Sequence, residues 1–250
     1  MSDQPKVIIN FPGLPPGGWQ FRRPVSIVRT NVLDEVRDSL NTVASAVRDG
    51  LYAVGWLSYE AAPAFDCALR VRSSASLPLL WFGLYESPEV NNAPPESGEF
   101  AFSEWLPEIS REQYNRSFNY IHEAIGRGDT YQVNQTFRLR STFTGNMHSC
   151  YSQLLNAHPA AYAAYINIGD YSVLSLSPEL LFEVDGLRAR TRPMKGTMRR
   201  GRWLEEDIER ERALASSLKD RAENVMIVDL MRNDFGKVAQ VGTVTTPMLF

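Results

Sequence analysis

The sequence predicts an α+β fold, with a layered α/β sandwich as its architecture, from three observations. A helical apolar period comes early in the chain and is followed by short apolar runs rich in aromatic residues. Turn dipeptides separate several apolar runs after residue 161, and residues 203–234 then return to a helical pattern. Helices and strands grouped in this way are typical of a sheet covered by helices, and 250 residues suffice for one large domain or two smaller ones.

The first part of the chain contains one predicted helix and two predicted strands. Residues 10–24 are rich in Pro and Gly and are predicted to be irregular. Residues 31–49 are predicted to form a helix that ends before Gly50, because apolar residues recur on one face. These apolar residues are Val36, Leu40, Val43 and Val47. Residues 51–60 and 79–86 are aromatic-rich runs bounded by turn residues, which predicts two buried strands.

A linker is predicted where Pro and Asn accumulate. Residues 86–98 contain Ser-Pro, Asn-Asn and Pro-Pro dipeptides and carry no apolar period. We therefore expect an N-terminal subdomain over residues 1–90, a linker over residues 91–104 and a second domain over residues 105–250.

The second predicted domain opens with a helix. Ser110 and Gln113 form the sequence pattern of a capping box, and Gly126 and Gly128 are placed to end the helix. Residues 130–141 alternate between apolar and polar side chains, which predicts a strand with an apolar and a polar face. The polar face could border a polar cavity or, as is commoner, solvent.

The last third of the chain is predicted to contain strands and then helices. The dipeptide Asp185-Gly186 between apolar runs is a strong hairpin signal. Residues 203–234 predict two helices, and the second should be deeply buried because apolar side chains surround it. These side chains are Val225, Met226, Ile227, Val228, Leu230 and Met231. Residues 238–250 are predicted to form a strand.

Composition excludes several function classes. Lysine and arginine (26) nearly balance aspartate and glutamate (29), which argues against bulk binding to nucleic acid or to an anionic membrane. We see no apolar run that could span a membrane and no signal-peptide pattern, so we expect a cytoplasmic protein. The distant Cys67 and Cys150 predict reduced thiols, and the three histidines lack the spacing of a metal site.

Lys195 is the central candidate for chemistry. It lies in the turn Arg-Pro-Met-Lys-Gly-Thr of residues 192–197, and a lysine beside glycine is usually a solvated turn residue. A nucleophilic lysine must lose its proton near neutral pH, which burial or neighbouring cations favour. Arg199 and Arg200 could supply such cations. Together with Arg202 they could instead attract an anionic substrate or simply solvate the loop, which is the commoner role.

Glu179 is predicted to lie near Lys195, because the Asp185-Gly186 hairpin reverses the chain between them. Pairing about that turn puts Glu179 opposite Arg192, so that Lys195 lies just beyond the paired strands. Glu179 could then serve as a general acid, or it could be the surface ion-pair partner of a nearby arginine.

Two carboxylates share a predicted helix face. Asp220 and Glu223 are three residues apart and head an apolar stripe, so they must be paired, protonated or bound to a cation. Mg²⁺ prefers one or two carboxylates plus waters and an anionic substrate, which makes this half of a plausible Mg²⁺ site. Pairing with Arg221 or Arg232 is the alternative.

Several motifs, in order, resemble those of the chorismate-utilising enzymes. They are Gly-Asp-Thr-Tyr-Gln-Val-Asn at 128–134, Ser-Pro-Glu at 177–179, Pro-Met-Lys-Gly-Thr at 193–197, Asp-Arg-Ala-Glu-Asn at 220–224 and Asp-Leu-Met-Arg-Asn-Asp at 229–234. The resemblance extends over roughly residues 105–245. An upstream segment, residues 55–65, is similar to the N-terminal region of component I of the aminodeoxychorismate synthases.

Within this family the lysine discriminates. Anthranilate synthases and isochorismate-type relatives usually carry Ala where Lys195 stands, whereas aminodeoxychorismate synthases carry Lys. The resemblance implies that Lys195 attacks C2 of chorismate as the C4 hydroxyl departs. Ammonia then displaces the enzyme to give 4-amino-4-deoxychorismate, on the route to p-aminobenzoate and folate.

The resemblance also implies roles for the neighbouring residues. Glu179 matches the general acid for the departing hydroxyl, and Gly196 and Thr197 match residues that line the substrate site. Glu223 matches a Mg²⁺-binding glutamate, and Asp220 matches an acidic position that supports metal-bound water. The ammonia is expected from a separate glutamine amidotransferase subunit.

The length departs from the family pattern. Family members continue with a Gly-Ser-x-Thr-Gly-Ala-Pro-Lys segment and further metal-binding glutamates, so we expect only the first part of the domain here, inactive by itself. Two alternatives stay open. One is another chorismate-converting enzyme such as anthranilate synthase component I, and the other is a truncated, non-catalytic protein that binds the amidotransferase.

Overall fold

The computed structural model describes residues 5–72, 77–92, 98–158 and 160–249. Its contacts divide the chain into two compact units. One unit comprises Met1–Val90 and Pro159–Phe250, and the other comprises Asn91–His158.

Strands and helices alternate in groups along the chain. The strands are β1 (Lys6–Asn10), β2 (Trp19–Arg22), β3 (Ser26–Thr30), β4 (Tyr52–Leu57), β5 (Leu80–Tyr85), β6 (Glu89–Val90), β7 (Phe100–Phe102), β8 (Leu106–Pro107), β9 (Leu139–Arg140), β10 (Phe143–Gly145), β11 (Tyr162–Asn167), β12 (Ser172–Ser177), β13 (Leu180–Asp185) and β14 (Arg188–Arg192). The α-helices are α1 (Val36–Arg48), α2 (Arg111–Gly126), α3 (Met147–Ala157), α4 (Leu204–Ser216) and α5 (Leu218–Gly236).

The first unit is built on two antiparallel sheets. The larger has the strand order β12-β11-β1-β2-β6, and the smaller has the order β3-β5-β4. Because β1 lies between β11 and β2, Val7 is opposite Ile166 on one side and Phe21 on the other. These three side chains form one buried core with Trp81 and Tyr85 of β5. The core therefore joins both sheets, and β12 leads from it towards the hairpin of β13 and β14.

The helix predicted over residues 31–49 is confirmed as α1, preceded by a 3-10 turn at Leu33–Glu35. It packs against β3, β4 and β5 and buries Val36 and Val43. Gly50 follows the helix with a φ of 96°, a left-handed conformation that favours glycine. The two strands predicted around this region are confirmed as β4 and β5, of which β5 is the more deeply buried.

The prediction that residues 10–24 are irregular is wrong in part, since β2 lies within them. Gly13, Gly17 and Gly18 all have positive φ and reverse the chain between β1 and β2. Beyond that reversal, Phe21 enters the core and β2 pairs with β1. The Pro and Gly content marks the turn and hides the strand that follows it.

The compact units differ from the predicted division into residues 1–90, 91–104 and 105–250. The break after Val90 coincides with the predicted start of the linker, but β11 and β12 pair into the same sheet as β1. Backbone hydrogen bonds of this sheet hold the late strands to the early ones, so the units follow the sheet rather than the order of the chain. Part of the linker, residues 93–97, lies outside the described residues.

In the second unit, the capping box at the start of α2 is confirmed. The Gln113 N–H donates to Ser110 Oγ at 3.2 Å, and the Ser110 N–H donates to Gln113 Oε1 at 2.8 Å. Two short strand pairs, β7 with β10 and β8 with β9, and the helix α3 complete this unit.

The strand predicted over residues 130–141 is wrong for most of its length. Only β9 is paired, and Tyr131, which the alternation turned to the apolar face, is 85% exposed. An alternating pattern forms a strand only where a neighbouring strand supplies hydrogen-bond partners, and here β8 reaches only the two residues of β9.

Two predictions for the last part of the chain are also wrong. No residue of α5 is buried in the described structure, and Val225 and Leu230 are 42% and 51% exposed. A helix that is apolar all round needs neighbours all round, and the neighbours of α5 in the described chain, which include α4, Thr191 and Leu249, leave all of its residues at least partly exposed. Residues 238–249 contain no strand, and Phe250 lies outside the described residues.

None of the helices that the structure describes is both long enough and apolar enough to cross a lipid bilayer.

Candidate functional site

Lys195 lies in the loop that joins β14 to α4. This loop, residues 193–203 and here named the lysine loop, contains neither helix nor strand. Lys195 is half-buried, and the next residue, Gly196, has a φ of 79°. Glycine adopts this left-handed conformation without steric cost, so the backbone can turn sharply directly after the lysine.

The carboxylate of Glu179 is bonded to the lysine loop. Its Oε1 accepts a hydrogen bond from the backbone N–H of Met194 at 3.0 Å. The Glu179 side chain is exposed, so its second oxygen can carry a proton or meet a ligand. The structure therefore brings Glu179 to the residue directly before Lys195.

The register of the hairpin differs from the predicted one. The turn consists of Gly186-Leu187 rather than residues 185–186, and β13 contains a bulge. Gly186 has a φ of 56°, as the first central residue of a type II′ turn requires. As a result Leu180, and not Glu179, lies opposite Arg192. Glu179 is placed beyond the paired strands, where its side chain reaches the lysine loop.

Asp220 lies against the lysine loop from the side of α5. A Cβ atom placed on Gly196 would be 2.9 Å from Asp220 Cβ and 3.1 Å from Asp220 Oδ1, so only glycine allows this approach. Asp220 lies in the first turn of α5, and its N–H donates to Ser217 Oγ at 3.3 Å. Thr197, the next predicted substrate residue, is exposed.

A cavity of about 440 Å³ lies beside Lys195, between the lysine loop, α4 and α5. Its volume is in the range of small-molecule sites. Its walls include Lys195, Glu211, Leu214, Asp220, Asn224 and Leu249. Asn224 Nδ2 donates to the Leu249 carbonyl at 2.7 Å and thereby holds the chain near residue 249 as one wall.

The donor types of the two predicted metal residues, both carboxylates, suit a Mg²⁺ ion whose remaining ligands are water and substrate. Asp220 and Glu223 lie one turn apart on α5, and Glu223 Oε1 is 3.8 Å from Lys219 Nζ. Within the described ranges, no group of three or more His, Cys, Asp or Glu side chains converges as a metal site. Two carboxylates are the donors that Mg²⁺ uses when it keeps several waters, whereas a closed protein cage needs more.

Two of the arginines after Lys195, Arg200 and Arg202, pair with carboxylates that the sequence pattern did not single out. The single Nε–H of Arg200 is shared between the two Asp207 carboxylate oxygens, at 2.8 and 2.9 Å, and Arg200 Nη2 donates to the same carboxylate. Arg202 Nε is 3.3 Å from Glu206 Oε2. The Arg200 and Arg202 side chains are nonetheless 88% and 75% exposed, as expected for a solvated loop. The i,i+4 spacing of Arg202 and Glu206 was visible in the sequence, but the same spacing occurs on any charged helix surface.

Curated relatives match more than half of the chain. Aminodeoxychorismate synthase component 1 of Escherichia coli (strain K12) is 43% identical over 162 residues, which cover 65% of this chain and 36% of that protein. Anthranilate synthase component 1 of Aquifex aeolicus (strain VF5) is 38% identical over 143 residues, which cover 57% of this chain and 29% of that protein. The chain thus spans about a third of the length of these curated relatives.

The fold has a solved counterpart. The crystal structure of anthranilate synthase component I from Streptococcus pneumoniae TIGR4 matches 95% of this chain and 62% of its own chain, with a TM-score of 0.69 and 19% identity. This likeness confirms the predicted mixed α/β fold class. The profile of the family described as chorismate binding enzyme matches residues 18–250, and so includes most of the predicted N-terminal subdomain. The chain belongs to the chorismate binding enzyme family.

Proposed function

We propose that the chain is part of an aminodeoxychorismate synthase component 1, which aminates chorismate to 4-amino-4-deoxychorismate for p-aminobenzoate and folate synthesis. The hydrogen bond between Glu179 Oε1 and the Met194 N–H carries the proposal. It puts a carboxyl group one residue from a lysine that lines a cavity of suitable size. The 43% identity to the Escherichia coli relative supports the choice of reaction.

In the proposed reaction Lys195 is the nucleophile and Glu179 the general acid. The Lys195 amine forms a bond to C2 of chorismate, the ring double bonds shift, and the C4–O bond breaks. Hydroxide is a poor leaving group, so Glu179 donates a proton and the group leaves as water. Ammonia then bonds to C4, the double bonds shift back, and the C2–N bond to Lys195 breaks.

The remaining predicted residues bind and orient the substrate. Gly196 leaves room beside Lys195, and Thr197 presents an exposed hydroxyl in the lysine loop. Asp220 and Glu223 would hold Mg²⁺. When bound, this ion supplies positive charge opposite the carboxylates of the substrate. We propose that the ammonia comes from a glutamine amidotransferase subunit, in keeping with the designation of the relative as component 1.

The test is removal of the nucleophile in the complete protein. With chorismate, ammonia and Mg²⁺, we expect Lys195→Ala to lower kcat by roughly 10³-fold or more, the scale on which loss of a covalent nucleophile acts. Lys237→Ala, which removes a lysine paired with Asp234 at the end of α5, is the matched control and should leave kcat unchanged. Unaltered formation of 4-amino-4-deoxychorismate by Lys195→Ala would rule out the covalent role.

The second candidate is anthranilate synthase component I, favoured by the 38% identity to the Aquifex aeolicus relative. Lys195 favours the first candidate, because anthranilate synthases usually carry Ala at the corresponding position. The products separate the two, because anthranilate is fluorescent and forms without a lyase partner. Fluorescent product from the complete protein and chorismate would establish the second candidate.

A further inference from the structure

The far end of the lysine loop is bonded to one arginine of α4. Arg210 Nη1 donates to the backbone carbonyls of Arg199 at 3.1 Å and Arg200 at 3.0 Å, and Nη2 donates to Glu206. The Arg210 and Glu206 side chains are only 17% and 15% exposed. A planar guanidinium can donate hydrogen bonds to three acceptors from one fixed position. A lysine ammonium on its flexible stem does this poorly.

Two carboxylates of α4 bind the backbone of the same segment. Asp207 Oδ1 accepts the Gly201 N–H at 2.7 Å, and Glu206 Oε2 accepts the Arg202 N–H at 2.7 Å. We name Glu206, Asp207 and Arg210 the α4 clamp. Its three side chains bind two carbonyl and two N–H groups of the loop, so they determine where the backbone lies and not only how its charges are neutralised.

Gly201 shows how closely the loop lies on α4. A Cβ atom at this position would be 2.2 Å from Asp207 N and 2.6 Å from Asp207 Cα. These are backbone atoms, which cannot rotate away as a side chain can. The loop can therefore occupy this position only with glycine at residue 201.

The α4 clamp and the cavity belong to the same helix. Glu211, Leu214 and Ala215 of α4 line the cavity directly after the turn that carries Arg210. At the other end of the loop, Glu179 holds the backbone N–H of Met194. The backbone that carries the nucleophile is thus bonded on both sides, to Glu179 before it and to α4 after it.

We propose that Arg210 is a positioning residue that sets the Lys195 amine at its distance from substrate in the cavity, a proposal that rests on the proposed function. Arg210 does not line the cavity, so its loss leaves the walls formed by α4 and α5 in place and displaces the loop that carries the nucleophile. A misplacement of about 1 Å costs on the order of 10²-fold in rate. The loss therefore falls on kcat and leaves KM for chorismate nearly unchanged.

The experiment compares variants of the complete protein in two assays. Arg210→Met keeps the apolar stem and removes the donors, Arg210→Lys keeps the charge without the fork, and Gly201→Ala moves the loop off α4 without changing any charge. Arg190→Met is the matched control, because Arg190 pairs with Glu183 on the exposed hairpin and is not among the residues that line the cavity. The first assay measures kcat and KM for chorismate with ammonia. The second measures the rate at which a small amine-reactive reagent labels Lys195, by peptide mass spectrometry.

We expect Arg210→Met and Gly201→Ala each to lower kcat by about 10- to 100-fold with KM changed less than about threefold. Arg210→Lys should recover little of this loss, and Arg190→Met should match the wild type. The labelling rate of Lys195 should change in the first two variants relative to Lys237. Circular dichroism spectra identify any variant that fails to fold, and then the other variant decides.

Three results would overturn the proposal. They are a wild-type kcat in Arg210→Met, full recovery by Arg210→Lys, or a lowered melting temperature with kcat and Lys195 labelling unchanged. If the wild type itself does not aminate chorismate, the proposed function fails. The labelling assay then decides the positioning role alone, and equal Lys195 labelling in wild type and Arg210→Met would overturn it.

Discussion

The buried sheet core and the lysine loop are held by different kinds of interaction. Phe21, Trp81 and Tyr85 are each 1% exposed, and the rings of Phe21 and Tyr85 lie 5.1 Å apart. No residue of α4 or α5 is buried in the part of the chain that the structure describes, and the α4 clamp holds the loop with hydrogen bonds and ion pairs. Apolar burial stabilises without fixing direction, whereas hydrogen bonds fix distance and angle. Stability and site geometry therefore come from different parts of one compact unit.

Two tryptophans test this contrast in stability. Trp81→Ala should lower the free energy of unfolding by about 3–5 kcal/mol, because it empties the centre of the core. Trp203→Ala removes the same side chain from the lysine loop, where it is 54% exposed and lies 4.7 Å from the Arg202 guanidinium. Its expected cost is about 0.5–1 kcal/mol. Urea unfolding followed by circular dichroism measures the free energy of unfolding of both variants. Equal losses of stability would contradict the conclusion that stability comes mainly from the sheet core.

Glu179 allows the chemical and the positional roles of one side chain to be separated. In Glu179→Gln the amide oxygen can still accept the Met194 N–H, but the side chain can no longer donate a carboxyl proton. We expect kcat to fall by about 10²- to 10⁴-fold with unchanged unfolding. Glu179→Ala loses the hydrogen bond as well and should also alter the labelling of Lys195. A Gln variant as active as the wild type would remove Glu179 from the role of general acid.

Alanine substitutions at Gly196 and Gly186 distinguish the cost of backbone strain from the cost of steric crowding. Both have positive φ, so alanine at either position should cost about 1 kcal/mol. Nothing lies within 4 Å of a Cβ at Gly186, whereas a Cβ at Gly196 would press on Asp220. Gly196→Ala should therefore destabilise more than Gly186→Ala, and only Gly196→Ala should lower kcat. Thermal unfolding measures the loss of stability, and steady-state rates measure the loss of kcat. A similar loss of activity in both variants would contradict the prediction that crowding against Asp220 lowers kcat only in Gly196→Ala.

The two regions should respond to opposite ends of the pH range. Burial raises the pKa of Tyr85 to about 12, so its contribution to stability is present below pH 10.0 and is lost as the pH rises towards 12. Hydrogen bonds from Arg200 and from the Gly201 N–H lower the pKa of Asp207 to about 2. Its contribution is present above pH 3.8 and is lost as the pH falls towards 2.

Unfolding measured across pH tests both assignments. Tyr85→Phe should flatten the alkaline side of the stability profile, and Asp207→Asn should flatten the acid side. Each variant should leave the other side unchanged. If stability falls as steeply at acid pH in Asp207→Asn as in the wild type, the Asp207 carboxylate does not contribute to that pH dependence.

The features that could be predicted from the sequence are those whose causes are local. The apolar period of α1, the Ser110 capping box and the hairpin after β13 each involve neighbours within a few residues. The nearness of Glu179 to Lys195 followed from the hairpin, although the bulge and the position of the turn shifted the register. Features that depend on distant partners were missed. Residues 131–138 alternate without a partner strand, and β2 forms because β1 is available to it.

The α4 clamp could not have been predicted for a related reason. Glu206 and Arg210 are spaced like any i,i+4 ion pair on a solvated helix, where such pairs stabilise little. Only the course of the lysine loop shows that these groups also bind backbone atoms. The same limit applies to Asn224, whose partner, the Leu249 carbonyl, belongs to a segment without regular structure.

The pairing of β1 with β11 has a consequence for synthesis on the ribosome. β1 emerges before β11, so one of its two edges is covered only after the whole second unit has been made. Pairing between such distant segments is slow, and an uncovered strand edge is a template for another nascent chain. The edge of β1 that carries Val7 and Ile8 therefore stays open to pairing with other chains until β11 has been made.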